Sequence, residues 1–272
     1  MASVPKEVRE VFGCDGVPKA IDGGEGKSFV IDNVVFKPIG NVELYEWASE
    51  TLLLIPQIGF RISLPRKTKQ GRYTYAGWGA TKYEPGEHVK GKWEEKLRVC
   101  RSFHAAVKEI SGRRMPHSSD RWTLAHKIAW EEVDLPRGIH PKICSIIGSI
   151  FQKYRPVETS KQIIHSDLSG NILFAEGLEP VIIDFSPAHR PKEYAEAILV
   201  ADAIAWENAP IELISELPDT WYYTQMLIRA VNFRVIVVAL FYPLDVTTFE
   251  REYENFVALL EHLEDTQQPN RK

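Results

Sequence analysis

A histidine, two aspartates and an asparagine fall within a short stretch of the chain. They lie in His165-Ser166-Asp167-Leu168-Ser169-Gly170-Asn171 and in Ile183-Asp184-Phe185. Apolar runs flank them: Ile163-Ile164, Ile172-Leu173-Phe174 and Val181-Ile182-Ile183. A carboxylate among such neighbours is costly unless it meets a partner or a metal. At strand ends these residue types have a joint use. One carboxylate receives a hydroxyl proton, while an amide and a second carboxylate offer oxygens to Mg²⁺. Phosphoryl transfer from ATP asks for those parts. A pair of Asx turns on a hairpin is the plain alternative.

The segment resembles the H-G-D-x-x-x-x-N and I-D-W/F signatures of the aminoglycoside phosphotransferase and choline kinase family. The resemblance implies a protein-kinase-like fold, with Asp167 as catalytic base and His165 bracing its loop. It implies Asn171 and Asp184 as metal ligands, thirteen residues apart. Two departures stand out. Ser166 replaces the usual glycine, and three residues rather than four separate Asp167 from Asn171. One missing residue removes about 3.3–3.6 Å of reach. Gly170 is expected to allow a tighter turn through positive φ.

The first part of the chain adds further signals. Gly23-Gly24-Glu25-Gly26-Lys27-Ser28 is a glycine-rich turn between two strand-like runs. Its backbone N–H groups, at Gly23, Gly24, Gly26 and Ser28, could approach ATP phosphates closely. It is not a P-loop. The leading glycine would fall at Ile21, and a strand rather than a helix follows. Lys37 ends the run Val34-Val35-Phe36, where kinase-like proteins keep the lysine that pairs with the α- and β-phosphates. Glu43, Glu46 and Glu50 follow on a helical stretch, and Glu46 is the expected partner of Lys37. The stretch from Gly77 to Gly86 resembles an interlobe linker, with backbone groups near Thr81 to Tyr83 meeting adenine. His104 reads as a satisfied core histidine and Asp202 as a tether. Arg229 and Arg234 either pair with acids or line the acceptor cleft.

The elements that must position these residues are legible. Residues 17–38 suggest three short antiparallel strands, with Asp32-Asn33 as a two-residue turn. Asn41 is a plausible N-cap for a helix over Val42 to Leu54. Strands are expected around 60–64 and 72–82. Trp93, Leu97, Cys100, Phe103 and Val107 lie on one helical face, as do Ile143, Ile146, Ile147 and Ile150 after Pro141. Further helices are expected over 120–132, 221–242 and 248–263. Between them sits a β island built from 163–164, 172–174 and 181–183. The expected architecture is α+β and two-lobed. Residues 1–84 form a β-rich nucleotide-binding lobe and 85–272 a helical catalytic and acceptor-binding lobe.

Composition narrows the function classes. The chain has 272 residues and a formal net charge of −4, unlike a basic nucleic-acid binder. Three scattered cysteines form no zinc-ligand cluster and fit a reducing cytoplasm. The segment Met1 to Phe12 carries four charged residues and no apolar core of signal-peptide length. Between Met226 and Tyr242 the pure apolar run is Val235 to Tyr242, short of the ~20 residues that span a bilayer. The expected function is a kinase using ATP and Mg²⁺ on a small-molecule hydroxyl, with neither nucleic acid nor membrane as partner. Ser186-Pro187-Ala188-His189-Arg190-Pro191 after Asp184-Phe185 is too short for the activation loop of a protein kinase. A nucleotide-binding pseudoenzyme or regulatory module is the rival, with a protein kinase behind it.

Overall fold

The computed structural model describes residues 3–21, 28–110 and 112–266. In chain order the elements are α1 (Lys6–Val11), β1 (Lys19–Ala20), β2 (Phe29–Ile31), β3 (Val34–Pro38), α2 (Val42–Leu52), β4 (Arg61–Ile62), β5 (Thr74–Tyr75), β6 (Trp78–Lys82), β7 (Glu87–His88), α3 (Trp93–Lys108), α4 (Arg121–Ala129), α5 (Pro141–Phe151), β8 (Gln162–His165), β9 (Ile172–Phe174), β10 (Val181–Ile182), β11 (Pro187–Arg190), α6 (Lys192–Glu207), α7 (Trp221–Phe241) and α8 (Val246–Thr266). A 3-10 helix, Ile211–Glu216, lies between α6 and α7.

The chain divides into two compact units. The first comprises Met1–Val89, Ala105–Ser118 and Asn171–Phe185, and the second the remainder. This differs from a single cut after residue 84, and strand pairing is the reason. β9 and β10 form one sheet with β4 and β7, in the order β4-β10-β9-β7. Backbone hydrogen bonds therefore draw Asn171–Phe185 into the first unit. The expected β island is split, because β8 pairs instead with β11 in a separate two-stranded sheet.

In the first unit a five-stranded sheet runs β1-β2-β3-β6-β5. Asp32 and Asn33 both take positive φ, 49° and 62°, which a two-residue hairpin turn demands. Residues 72–82 are a hairpin rather than one strand. Ala76 and Gly77 turn the chain at φ 47° and 76°, and β5 then pairs with β6. Alternation along β3 buries Val34 and Phe36 and leaves Val35 and Lys37 on the other face. Val4, Val8, Phe12 and Cys14 cover the buried face together with Ile31 and Ala80. The Asn41 side chain accepts the Leu44 N–H at 3.0 Å and so starts α2.

The second unit is built around α7. This helix is long and apolar enough to cross a membrane by length and composition. Its residues from Gln225 to Val237 are nonetheless buried inside the protein, packed by α4, α5, α6 and α8. Helix α6 is also buried without a break from Tyr194 to Ala203.

Candidate active site

The first unit carries Lys37, Asp184 and Asn171. Lys37 stands on β3 opposite Gly79 of β6. A Cβ at Gly79 would lie 2.4 Å from the Tyr45 ring, so only glycine lets α2 seat that ring against the strand pair. The Lys37 ammonium forms an ion pair with the Asp184 carboxylate. Burial pushes Lys37 down to about 8. Asn171 and Ile183 flank the paired positions Ile172 and Ile182 of the β9–β10 hairpin. The Ile183 N–H donates to the Asn171 carbonyl at 3.0 Å, so the hairpin sets Asn171 beside the residue preceding Asp184. Asp184 takes φ 50°, a left-handed conformation that Asp tolerates better than most residues. It breaks the strand alternation just where the carboxylate meets Lys37.

Among the described residues no three His, Cys, Asp or Glu side chains gather into a metal cage. Mg²⁺ commonly takes only one or two carboxylates and completes its shell with phosphate oxygens and water. An amide oxygen and a carboxylate on one hairpin, the latter 54% exposed, suit that chemistry.

One first-unit expectation meets a different structure. Glu46 does not pair with Lys37. Its carboxylate accepts the backbone N–H groups of Tyr73 and Thr74, the Thr74 hydroxyl at 2.6 Å and Arg72 Nε at 3.2 Å. Burial acts against its charge, but these hydrogen bonds outweigh it and hold the carboxyl below its ordinary value. Glu50 is likewise taken, by Arg113. The backbone near Thr81 to Tyr83, expected to meet adenine, spends two of its N–H donors inside the protein. Tyr83 donates its N–H to the Asn33 carbonyl at 2.8 Å, and Lys82 donates to Leu64 at 2.9 Å. Lys82 meets the residue before the Pro65–Thr81 bridge, and Tyr83 meets the β2–β3 turn. Gly23, Gly24 and Gly26 lie outside the described residues. Ser28 lies within them, its carbonyl accepting the Ile21 N–H at 3.1 Å.

The second unit carries His165, Asp167 and a set of supports. The His165 ring is buried, and its Nδ1 accepts the Asp167 N–H at 3.2 Å. Ser166 fills the glycine position without positive φ, and its hydroxyl donates to the Ser186 carbonyl at 3.1 Å. Leu168 is buried, and the Ser169 hydroxyl donates to Glu207 at 3.1 Å. Glu207 also receives Lys96 at 2.6 Å and the Trp93 indole at 3.0 Å. The Asp167 carboxylate, 40% exposed, accepts from Arg234 Nη2 at 2.7 Å. Arg234 in turn grips buried Asp202, so of the two open readings it takes the acid-paired one. Arg229 donates instead to Gln225 and to the Arg155 carbonyl. Burial pushes Asp202 up to about 6 against the opposing pull of Arg234. Burial also disfavours the Arg234 charge, but Asp202 and Asp167 more than offset it.

His104 is the satisfied core histidine the sequence suggests. Its Nε2 accepts the His165 backbone N–H at 3.0 Å, which puts the ring proton on Nδ1, 2.7 Å from the Cys100 carbonyl. Burial pushes it down to about 3, with the Cys100 bond opposing, and buried His126 is lowered as well. His104 stays neutral in the folded protein between about pH 6.5 and 3, and His126 likewise stays neutral well below its ordinary value, whereas the unfolded chain takes up both protons. Stability is therefore expected to fall as pH drops through that window. The slope is up to about 1.4 kcal/mol per pH unit for each ring. Urea unfolding at pH 7 and pH 5 checks this, and equal midpoints would refute it.

Gly170 does not use positive φ, and an added Cβ would meet nothing within 4 Å. The expectation that it bends the loop by that means is corrected. Gly170→Ala should leave turnover and thermal stability near wild type, and a loss matching that of Asn171→Ala would contradict the geometry.

No protein-family model matches the chain, and no curated protein matches it by sequence. Solved structures do match. A choline kinase from Streptococcus pneumoniae superposes with a TM-score of 0.60 at 11% identity, covering 96% of this chain and 97% of that one. The chain has the protein-kinase-like fold. A second structure with this fold is a spectinomycin phosphotransferase in complex with ADP and spectinomycin, at TM-score 0.56 and 15% identity over 98% of this chain and 93% of that chain. A third is an aminoglycoside 2'-phosphotransferase in a GDP complex, at TM-score 0.53 and 14% identity over 93% of both chains. The kinase-like fold accounts for the β-rich first unit and the helical second one. Sequence reasoning did not assign Arg234 and Asp202 to one network. Both stand in apolar helices, where a charged residue signals a buried partner.

Proposed function

We propose that this chain transfers the γ-phosphoryl group of ATP to a hydroxyl of a small molecule. The observation that carries the reading is the Asp167 carboxylate. It is partly exposed, tied through its backbone to His165 and through its side chain to Arg234, on a chain whose structural neighbours include small-molecule phosphotransferases. In the reaction the acceptor hydroxyl approaches Asp167, which orients it and takes its proton. The new bond joins the acceptor oxygen to the γ-phosphorus. The bond from that phosphorus to the bridging oxygen breaks, and its electrons leave with ADP. Lys37 faces the negative phosphates once nucleotide draws it from Asp184. Asp184 and Asn171 would hold Mg²⁺, which when bound offsets charge on the phosphates. The reading includes a cytoplasmic setting, which three free cysteines suit.

The three-residue spacing between Asp167 and Asn171 favours a second reading, a nucleotide-binding regulator without turnover. Purified protein incubated with Mg²⁺ and ATP or GTP, against pooled small-molecule alcohols, separates the two. Phosphorylated products detected by mass spectrometry support the kinase. Tight nucleotide binding with no product, and no hydrolysis to ADP, supports the regulator.

A further inference from the structure

We propose that Arg234 is a positioning residue for the Asp167 carboxylate, held to that task by Asp202. The proposal rests on the phosphotransferase reading, which gives Asp167 its role. Arg234 lies on α7 and is only 4% exposed. Its Nε donates to Asp202 Oδ1 at 2.8 Å, and its Nη2 closes on Asp202 Oδ2. The same Nη2 reaches Asp167 Oδ1 at 2.7 Å. One planar group thus joins a carboxylate buried on α6 to an exposed carboxylate in the loop. The guanidinium fork is rigid, so fixing its inner edge on Asp202 fixes the N–H that Asp167 meets. The Trp206, Trp122 and Phe233 rings lie 5.4, 6.0 and 5.1 Å from the guanidinium carbon and restrict it further.

The balance of charge argues for this task over a purely structural one. A buried guanidinium and a buried carboxylate compensate each other, so Arg234 and Asp202 make a complete pair. Asp167 is a second anion that the burial of Arg234 does not require. Its effect falls on Asp167 itself. A partly exposed aspartate can still take more than one χ1 well, whereas a group that must receive one hydroxyl proton works from a single geometry. Burial of Leu168 and the Ser169–Glu207 bond support the loop, and Arg234 directs the carboxylate.

The test is the double variant Arg234→Met with Asp202→Leu, which leaves no lone charge in the core. Mg²⁺-dependent ATP turnover, ADP affinity and thermal unfolding are measured beside wild type. The expected result is a folded protein with unchanged ADP affinity and unchanged KM for ATP. Its kcat should fall at least about tenfold, the loss of orientation alone. A folded double variant with kcat within about threefold of wild type overturns the proposal. If the double variant does not fold, Arg234→Lys decides by the same readout, because an ammonium lacks the planar fork. Reduced kcat at unchanged KM supports positioning, and unchanged kcat overturns it. Should wild type bind nucleotide yet turn over none, it is the phosphotransferase reading that falls. Crystal structures of wild type and variant then decide positioning alone. One Asp167 rotamer that becomes several supports it, and the same rotamer in both overturns it.

Discussion

Asp167→Asn is expected to abolish phosphoryl transfer while nucleotide binding survives. Asparagine has nearly the same size, and its side-chain oxygen still accepts from Arg234 Nη2, so the loop keeps its support. The Asp167 N–H bond to His165 is a backbone bond and is untouched. What is lost is the ability to take a proton. A positioned base contributes about 10²–10⁴-fold, so turnover should fall by at least about two orders of magnitude. Stability should change little, because Asp202 still compensates the buried guanidinium. Steady-state turnover beside ADP titration calorimetry makes the comparison. A folded variant that keeps more than about a tenth of the activity removes Asp167 from the base role.

Asp184→Ala should eliminate Mg²⁺-dependent turnover, and Asn171→Ala should be the milder lesion. A carboxylate brings charge as well as an oxygen to a hard cation, whereas an amide brings the oxygen alone. The ion pair lost with Asp184 is part-exposed on both sides, 30% at Lys37 and 54% at Asp184. Pairs of that kind contribute about 0–1 kcal/mol, so unfolding cannot account for a large loss. Removing a carboxylate in αL also relieves no clash, and alanine accepts that φ less readily than aspartate. A small drop in melting temperature is therefore expected beside the large drop in rate. Turnover across a Mg²⁺ titration checks the ranking. Asn171→Ala as damaging as Asp184→Ala would place the metal on both ligands equally, and unchanged turnover in Asp184→Ala would remove that residue from the metal site.

Sequence made some parts of this protein plain and hid others, for identifiable reasons. The Asp32-Asn33 turn, the Asn41 cap and the face of α3 were legible because each follows from local chemistry. Helix α6 was not, because it is buried all round and a helix without a polar face shows no period. Helix α1 left a readable trace in the four-residue spacing of Val4, Val8 and Phe12, all buried. Strand pairing was hidden because it is non-local. Nothing in Ile163-Ile164 says that its partner is Pro187–Arg190 rather than the hairpin that follows. The same limit applied to the site. Asp167, His165 and Asp184 stood out by motif, whereas the destination of the Glu46 carboxylate, a loop twenty-seven residues on, could not be read from its place in a helix.

The unbroken burial of α7 from Gln225 to Val237 has a consequence for backbone exchange with solvent deuterium. The amides of this stretch belong to buried residues, away from the partly exposed ends of the helix. They should exchange only when that unit unfolds as a whole, at the slowest rate of any segment. Arg234 is rooted in this helix. The carboxylate assigned to the acceptor is thus tethered to the most slowly opening backbone in its unit.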